Sequence, residues 1–314
     1  MTKNMTKKKQ SLWIRWKKQA SLQIILIAGL VFLLIFCYAP MFGLILAFKD
    51  YKLSSGLAGI FTSEWVGLKW FKEFLSSPMF PIVVRNTLVL SLLKICLAFP
   101  ASILFALLLN EVRAVRFKKL VQTASYLPHF MSWVIVSGLC YTMFSSNNGL
   151  INNILLDLGI IDKGMTLLYD AKQYWGLAVG TQIWKETGWG AIIYIAAISG
   201  IDTAMYEAAD IDGASRLQKI RYITLPSIKG TIIVMFILAL GGLVSGNLDQ
   251  TLVLGNGMNR DYSEIINSYV LNTGLRHYRF DYASAAGLMQ SVISVILVFT
   301  SNKFSKKNFG AALY

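Results

Sequence analysis

The acidic side chains best placed to act together lie among small residues, between two apolar segments. The stretch reads Glu207-Ala208-Ala209-Asp210-Ile211-Asp212-Gly213-Ala214, with Ile223-Thr224-Leu225-Pro226 shortly after it. Consecutive alanines favour a helix with a thin surface that another surface can approach closely, and Gly213 allows a sharp reversal at its end. We expect Glu207, Asp210 and Asp212 to lie near the start of this helix, where the helix dipole favours negative charge. The pattern predicts a docking element.

A second set of polar and aromatic residues lies inside segments that are otherwise apolar. Its members are Trp184, Lys185, Glu186, Trp189, Asn247, Asp249 and Gln250. Aromatic faces stack on sugar rings while polar groups bind the hydroxyls, so this set is a candidate lining for a substrate path. The alternative is a structural ion pair with a second chain. Because adjacent helix residues point about 100° apart, we expect Lys185 and Glu186 not to pair with each other.

Other residues that often carry chemistry lack a catalytic spacing. The sequence contains no G-x-x-x-x-G-K-[ST], H-E-x-x-H or G-x-S-x-G motif. Cys37, Cys96 and Cys140 lie singly in apolar runs and are expected to be inert. Lys94 is expected to contact a neighbouring helix or subunit, and His129 to be a packing residue. We predict no catalytic residue, no metal ligand and no cofactor bound by this chain.

The elements that must position these residues are long apolar helices. Of the 314 residues, 55% are hydrophobic and 15% are charged, with a mean hydropathy of +0.54. About 20 apolar residues are enough to cross a bilayer. We place six spans near residues 22–48, 82–109, 121–145, 174–201, 230–254 and 283–302. The third and fourth are weaker, because one carries Pro128 and His129 and the other Lys185 and Glu186.

The basic residues predict the topology. One set of connections is rich in Lys and Arg, with seven in residues 1–21, four in 110–120, four in 202–229 and three in 303–314. The alternate connections are longer but hold fewer, with four in 49–81, two in 146–173 and three in 255–282. Cytoplasmic loops carry such an excess, so both termini and loop 202–229 are predicted to be cytoplasmic. The net charge of +14 thus has a membrane explanation and needs no nucleic acid.

This pattern divides the chain into four parts. They are a basic N-terminal arm (1–21), a first span (22–48), a core of five spans (82–302) that contains loop 202–229, and a C-terminal tail (303–314).

The acidic stretch resembles a known family signature. The pattern E-A-A, three residues, G, nine residues, I, one residue, L-P is typical of permeases from binding-protein-dependent ATP-binding-cassette (ABC) importers. Its defined positions here are Glu207, Ala208, Ala209, Gly213, Ile223, Leu225 and Pro226. Further segments, among them 126–129, 132–133, 183–189 and 206–214, resemble the LplB-like branch of carbohydrate-importing permeases.

The resemblance implies an all-α integral membrane protein with six transmembrane helices and the type I, MetI-like permease fold. It gives Glu207 to Gly213 and Ile223 to Pro226 the role of a coupling element that docks on an ATPase. The expected partners are a second homologous permease, two ATPase domains that use ATP and Mg²⁺, an extracytoplasmic solute-binding protein and membrane lipid. The expected location is the bacterial plasma membrane, and the expected cargo is an oligosaccharide or complex carbohydrate.

Two alternatives stay open on the sequence alone. A permease for a non-sugar solute, such as a glycerol phosphate or a peptide, would carry the same coupling signature. A multi-span membrane enzyme, such as a glycosyltransferase, would need carboxylates gathered at one membrane face. The only dense carboxylate group in the sequence is Glu207, Asp210 and Asp212, which the coupling signature already includes.

Overall fold

The computed structural model describes residues 19–242 and 246–309, and these residues are almost entirely helical. The helices are α1 (Leu22–Phe48), α2 (Gly59–Thr62), α3 (Lys69–Ser76), α4 (Met79–Asn110), α5 (Val115–Tyr126), α6 (Trp133–Phe144), α7 (Leu150–Asp157), α8 (Tyr174–Ser199), α9 (Thr203–Ile211), α10 (Arg216–Gly241), α11 (Leu248–Leu254), α12 (Arg260–Ser263), α13 (Ile266–Leu271) and α14 (Phe280–Phe309). Within the described ranges, extended pairing is limited to one antiparallel bridge, Lys49 with Trp65. The predicted all-α class is confirmed.

Four helices, α1, α4, α10 and α14, are long and apolar enough to cross a membrane. Two bent pairs also qualify: α5 with its 3₁₀ extension Leu127–Phe130 followed by α6, and α8 followed by α9. Counting each pair as one span gives up to six crossings. Most of the predicted basic arm, and the last five residues of the predicted tail, lie outside the described residues.

The third predicted span, 121–145, corresponds to a bent pair of helices, α5 with its extension and α6. The chain bends by 104° between Phe130 and Trp133. Pro128 ends the regular helix because its ring clashes with the preceding turn. Ser132 is extended, and its hydroxyl accepts a hydrogen bond from the amide of Ile135 at 3.3 Å, which starts α6 as a new helix.

The fifth predicted span, 230–254, is wrong at both ends. Helix α10 begins at Arg216 and ends at Gly241, and α11 is a separate short helix whose first turn is capped by Asn247. Gly246 has a φ of +62°, a conformation that only glycine adopts without strain. The polar residues 247–250 therefore belong to a short helix beyond the span.

Three prolines lie beyond the first turn of continuous helices, and each follows a π-helical turn. The turns are Leu34–Tyr38 before Pro40, Lys94–Ala98 before Pro100, and Ile220–Thr224 before Pro226. A proline lacks an amide hydrogen and pushes against the carbonyl of the preceding turn. A π-turn widens the backbone and relieves that contact, so α1, α4 and α10 run through their prolines.

The helices pack around three clusters of buried side chains. One joins α4, α8 and α10 through Leu107, Tyr194 and Ile228. A second joins α3 to α14 through Phe74 and Tyr282. The third, formed mainly by α6, α8 and α11, positions the polar residues of the candidate path. Most of α1 is exposed, as expected of a helix whose neighbours are lipid or another subunit.

Candidate functional site

The predicted docking element is helix α9, which leaves α8 at an angle of 73°. Asp202 caps its start by accepting a hydrogen bond from the amide of Ala204 at 2.9 Å. Glu207 lies in the middle of the helix, Asp210 in its last turn, and Asp212 at its C-cap. The prediction that these three carboxylates lie near the helix start is wrong, because Asp202 holds that position and begins the helix earlier than the alanines suggest.

The reversal at Gly213 is confirmed. Its φ is +73°, and the amide of Ala214 donates to the carbonyl of Ala209 at 2.9 Å, while the Gly213 amide donates to the carbonyl of Asp210 at 3.1 Å. This pair of hydrogen bonds closes the helix end with a left-handed residue after the cap. Ser215 and Gln218 then form a capping box that starts α10 at once.

Two side-chain contacts connect α9 to α10. The hydroxyls of Tyr206 and Thr224 lie 2.8 Å apart, and Lys219 Nζ lies 2.6 Å from Asp210 Oδ1. Thr224 is buried, whereas Asp210 is exposed. Sequence reasoning missed Tyr206 and Thr224 as a pair, since Tyr206 precedes the signature and Thr224 lies at a variable position within it.

No residue of α9 is fully buried within the chain. Apolar Met205, Ile211 and Leu217 are exposed on or beside this helical hairpin, Ile211 to 89%. Glu207 and Ala208 are exposed and Ala209 is half-buried, while Ile223 and Leu225 are half-buried and Pro226 is exposed at the base of α10. The exposed surface of the hairpin therefore combines small, apolar and acidic groups.

Lys185 and Glu186 form an ion pair, contrary to the prediction. Lys185 Nζ lies 3.0 Å from Glu186 Oε1 and donates to the carbonyl of His129 at 2.6 Å. Glu186 Oε2 lies 2.7 Å from His129 Nδ1, and Trp189 stacks on the His129 ring with centroids 4.3 Å apart. Long side chains on adjacent positions can bend toward a common partner, and His129 is that partner. The cluster fixes the turn Leu127–Phe130 against α8.

Trp184 does not join this cluster. It lines a separate, mainly apolar cavity of about 530 Å³ between α6 and α8, with Cys140, Gly176 and Gly180 among the other lining residues. The two tryptophans predicted to flank Lys185 and Glu186 therefore lie in different surroundings.

The remaining predicted path residues gather around α11. Gln250 Nε2 donates to the carbonyl of Ala178 at 2.6 Å and to Thr181 Oγ1 at 2.9 Å. Gln250 Oε1 accepts from Lys94 Nζ at 3.0 Å, which confirms the expected contact of Lys94 with another helix. Asn247 Nδ2 donates to Gln182 Oε1 at 3.1 Å.

These residues border a polar cavity of about 480 Å³ between α4, α8, α10 and α11. Lys94, Phe99, Gln182, Asn247 and Asp249 line it, whereas Gln250 lies buried behind its wall. Lys185, Glu186 and Trp189 lie on the next turns of α8. The structure thus divides the predicted path residues between this cavity, the His129 cluster and the Trp184 cavity. Across residues 19–242 and 246–309, no group of three or more His, Cys, Asp or Glu side chains could hold a metal ion.

Apolar helices long enough to cross a membrane, with an exposed helical hairpin between two of them, define a multi-span membrane protein. Residues 79–308 match the family described as "Binding-protein-dependent transport system inner membrane component". The chain belongs to that family and is a transport subunit, not an enzyme. Family membership excludes the glycosyltransferase alternative.

Several relatives are similar along almost their whole length. Protein LplB of Bacillus subtilis (strain 168) is 41% identical over 291 residues, which are 93% of this chain and 90% of the relative. The polygalacturonan/rhamnogalacturonan transport system permease protein YteP of the same strain is 41% identical over 300 residues, 96% and 92% of the two chains. A chain in the crystal structure of a bacterial alginate ABC transporter, in complex with an alginate pentasaccharide-bound periplasmic protein, matches with a TM-score of 0.87 and 35% identity. That match covers 96% of this chain and 99% of the other.

Proposed function

We propose that this chain forms half of the translocation path of an ABC importer for oligosaccharides or complex carbohydrates. The observation that carries the proposal is the exposed α9 hairpin, which is closed at Gly213 and bonded to α10 through Tyr206 and Thr224. The names of YteP and of the alginate transporter support a carbohydrate cargo. A glycerol phosphate or a peptide is the second candidate cargo.

The proposed partners are a second homologous permease, two ATPase domains that bind ATP and Mg²⁺, and an extracytoplasmic solute-binding protein. The basic loops favour an orientation in the bacterial plasma membrane with both termini and α9 in the cytoplasm. The chain itself has no phosphate-binding loop, so the energy comes from the ATPase. Its basic surface is expected to face anionic lipid rather than nucleic acid.

The proposed coupling passes through α9. Closure of the ATPase domains moves α9, and its contacts with α10 transmit that movement to the helices around the polar cavity. Glu207, Ala208 and Ala209 contribute the docking surface, and Asp210, Asp212 and Gly213 form its end. Ile223, Leu225 and Pro226 shape the base of α10.

The proposal is tested with the complete importer in proteoliposomes, with labelled oligosaccharides, glycerol 3-phosphate and peptides as cargo. Gly213→Asp is expected to abolish transport-coupled ATP hydrolysis while membrane insertion stays intact, because the left-handed turn is lost and a charge enters the docking surface. Gly159→Asp is the matched control, since Gly159 has a φ of +65° and, like Gly213, open space around it. Unchanged coupling in Gly213→Asp contradicts the role of α9. Uptake of glycerol phosphate or peptide without sugar uptake contradicts the carbohydrate cargo.

A further inference from the structure

Lys94 places a positive charge near the middle of α4, which runs from Met79 to Asn110. Its Nζ atom donates to Gln250 Oε1 at 3.0 Å. No ion pair among the described residues includes Lys94, although six pairs with other cations are present in the same part of the chain. A charge at this depth is costly unless an opposite charge or a polar cavity compensates it.

The contact with Gln250 orients the ammonium group but does not neutralise it. Gln250 is 1% exposed, and its amide nitrogen is held by Ala178 and Thr181. Its oxygen is therefore held in place behind the cavity wall. Lys94 is the first residue of the π-turn before Pro100, and it lines the 480 Å³ cavity directly.

The rest of the cavity wall matches a hydroxylated ligand. Asp249 is an exposed carboxylate that can accept hydrogen bonds from hydroxyl groups, and the amides of Gln182 and Asn247 can both donate and accept. Phe99 supplies an aromatic surface, and such surfaces stack on the C–H face of a sugar ring. The volume falls within the range of small-molecule sites, about 300 to 1,000 Å³.

We propose that this cavity recognises a uronic acid, with Lys94 binding the sugar carboxylate and Asp249 its hydroxyls. The inference rests on the proposed function and narrows its cargo to acidic oligosaccharides. A neutral sugar would leave Lys94 without an ion-pair partner, since no ion pair among the described residues includes it. A cationic peptide would place like charges together, which costs affinity.

The test compares one oligosaccharide in two forms. The complete importer in proteoliposomes is supplied with an oligogalacturonate or with the same oligosaccharide after reduction of its carboxylates to alcohols. The solute-binding protein is kept saturated with each sugar, and its affinity for both is measured separately, so that the permease step limits uptake.

Lys94→Gln is expected to lower uptake of the acidic sugar about tenfold, because a charge-assisted hydrogen bond is lost. Uptake of the reduced sugar should change less than about twofold, and Lys94→Arg should keep the preference for the acid. Equal losses for both sugars would mean that Lys94 is only structural, and unchanged uptake would mean that it does not contact the cargo. Either result overturns the inference.

Asp249→Asn is the second variant. Asp249 is exposed, so this substitution is expected to leave folding unchanged. Among the described residues that line the cavity, Asp249 carries the only carboxylate, and its removal should raise the ratio of acidic to reduced-sugar uptake about threefold. A ratio that stays the same or falls contradicts the inference. Uptake of the reduced sugar alone overturns the uronate inference and leaves the proposed function standing. Uptake of neither sugar, in an importer whose cargo-stimulated ATP hydrolysis is intact, contradicts both the uronate inference and the proposed carbohydrate cargo.

Discussion

The hydroxyl of Tyr206 lies 2.8 Å from the hydroxyl of Thr224, so a hydrogen bond joins the docking helix α9 to the π-turn of α10. Thr224 is 2% exposed, and its Oγ1 also lies 3.4 Å from the carbonyl of Lys219, to which it can donate. A π-turn replaces the i→i+4 hydrogen bonds of an α-helix with i→i+5 bonds. The pair therefore connects the exposed part of the hairpin to a buried point at which α10 departs from regular geometry.

Tyr206→Phe and Thr224→Val are expected to weaken coupling, because each removes one hydroxyl and keeps the shape of the side chain. Each change should cost about 1 kcal/mol of folding stability. The ratio of cargo-stimulated to basal ATP hydrolysis should fall in both variants, and the double variant should fall no further than either single one. Tyr222→Phe is the control, since Tyr222 lies on the same π-turn but is exposed. Independent, additive losses would show that the two hydroxyls do not act together.

The second connection between α9 and α10, Asp210 with Lys219, is expected to contribute less. Asp210 Oδ1 lies 2.6 Å from Lys219 Nζ, but the Asp210 side chain is 62% exposed. Exposed ion pairs contribute roughly 0.2 to 1 kcal/mol and are screened by salt. Asp210→Asn should therefore reduce the coupling ratio by less than Tyr206→Phe does, and the effect should shrink as ionic strength rises. A larger loss that is insensitive to salt would assign Asp210 to the ATPase contact instead.

Glu186→Gln is expected to destabilise the protein by about 2 kcal/mol. Lys185 is 5% exposed, and Glu186 is its only partner with a negative charge among the described residues. The substitution leaves the buried Lys185 ammonium with its hydrogen bond to the His129 carbonyl but without a counter-charge. Thermal unfolding in detergent, followed by tryptophan fluorescence, measures the effect, because Trp189 stacks on His129 beside the pair.

Glu73→Gln provides the matched control for Glu186→Gln. Glu73 pairs with Arg279 at 2.7 Å, but both side chains are about 40% exposed. Its carboxylate raises the pKa of Arg279, mainly through their hydrogen bond, yet the pair is solvated and its loss should cost under about 1 kcal/mol. Equal shifts in the melting temperature of the two variants would contradict the distinction between buried and exposed pairs.

Features set by the backbone geometry of a few consecutive residues, such as turns and helix breaks, can be predicted from the sequence. The reversal at Gly213 follows from the need for a left-handed residue after a helix, and the break near Pro128 is visible as a weak span. Distant pairings have no such signal: Tyr206 and Thr224 meet across a turn whose π-geometry no spacing rule predicts. The same applies to His129, which joins Lys185 and Glu186 only because the broken helix brings it against α8.

The boundaries of the spans are harder to predict, for a physical reason. Hydropathy averages over a window about as long as a bilayer crossing. It therefore merges the end of α10 with α11, although Gly241 ends one helix and Asn247 begins the other. As a result, Asn247, Asp249 and Gln250 are expected inside a span, whereas they form the first turn of a short helix beside the polar cavity.

Gly188 permits the closest approach between α8 and the bent segment, and Gly188→Ala should disturb it. A Cβ atom there would lie 2.1 Å from the carbonyl oxygen of Ser125, a backbone atom that cannot move independently. Overpacking of this kind costs about 1 to 3 kcal/mol. Because the His129 cluster joins the same two elements, the shift should also weaken the stacking of Trp189 on His129.

Gly180→Ala is the control, since a Cβ atom at that position would have no other atom within 4 Å. We expect a lower melting temperature and altered tryptophan fluorescence for Gly188→Ala alone, and equal behaviour of the two variants would contradict the close packing of α8 against α5.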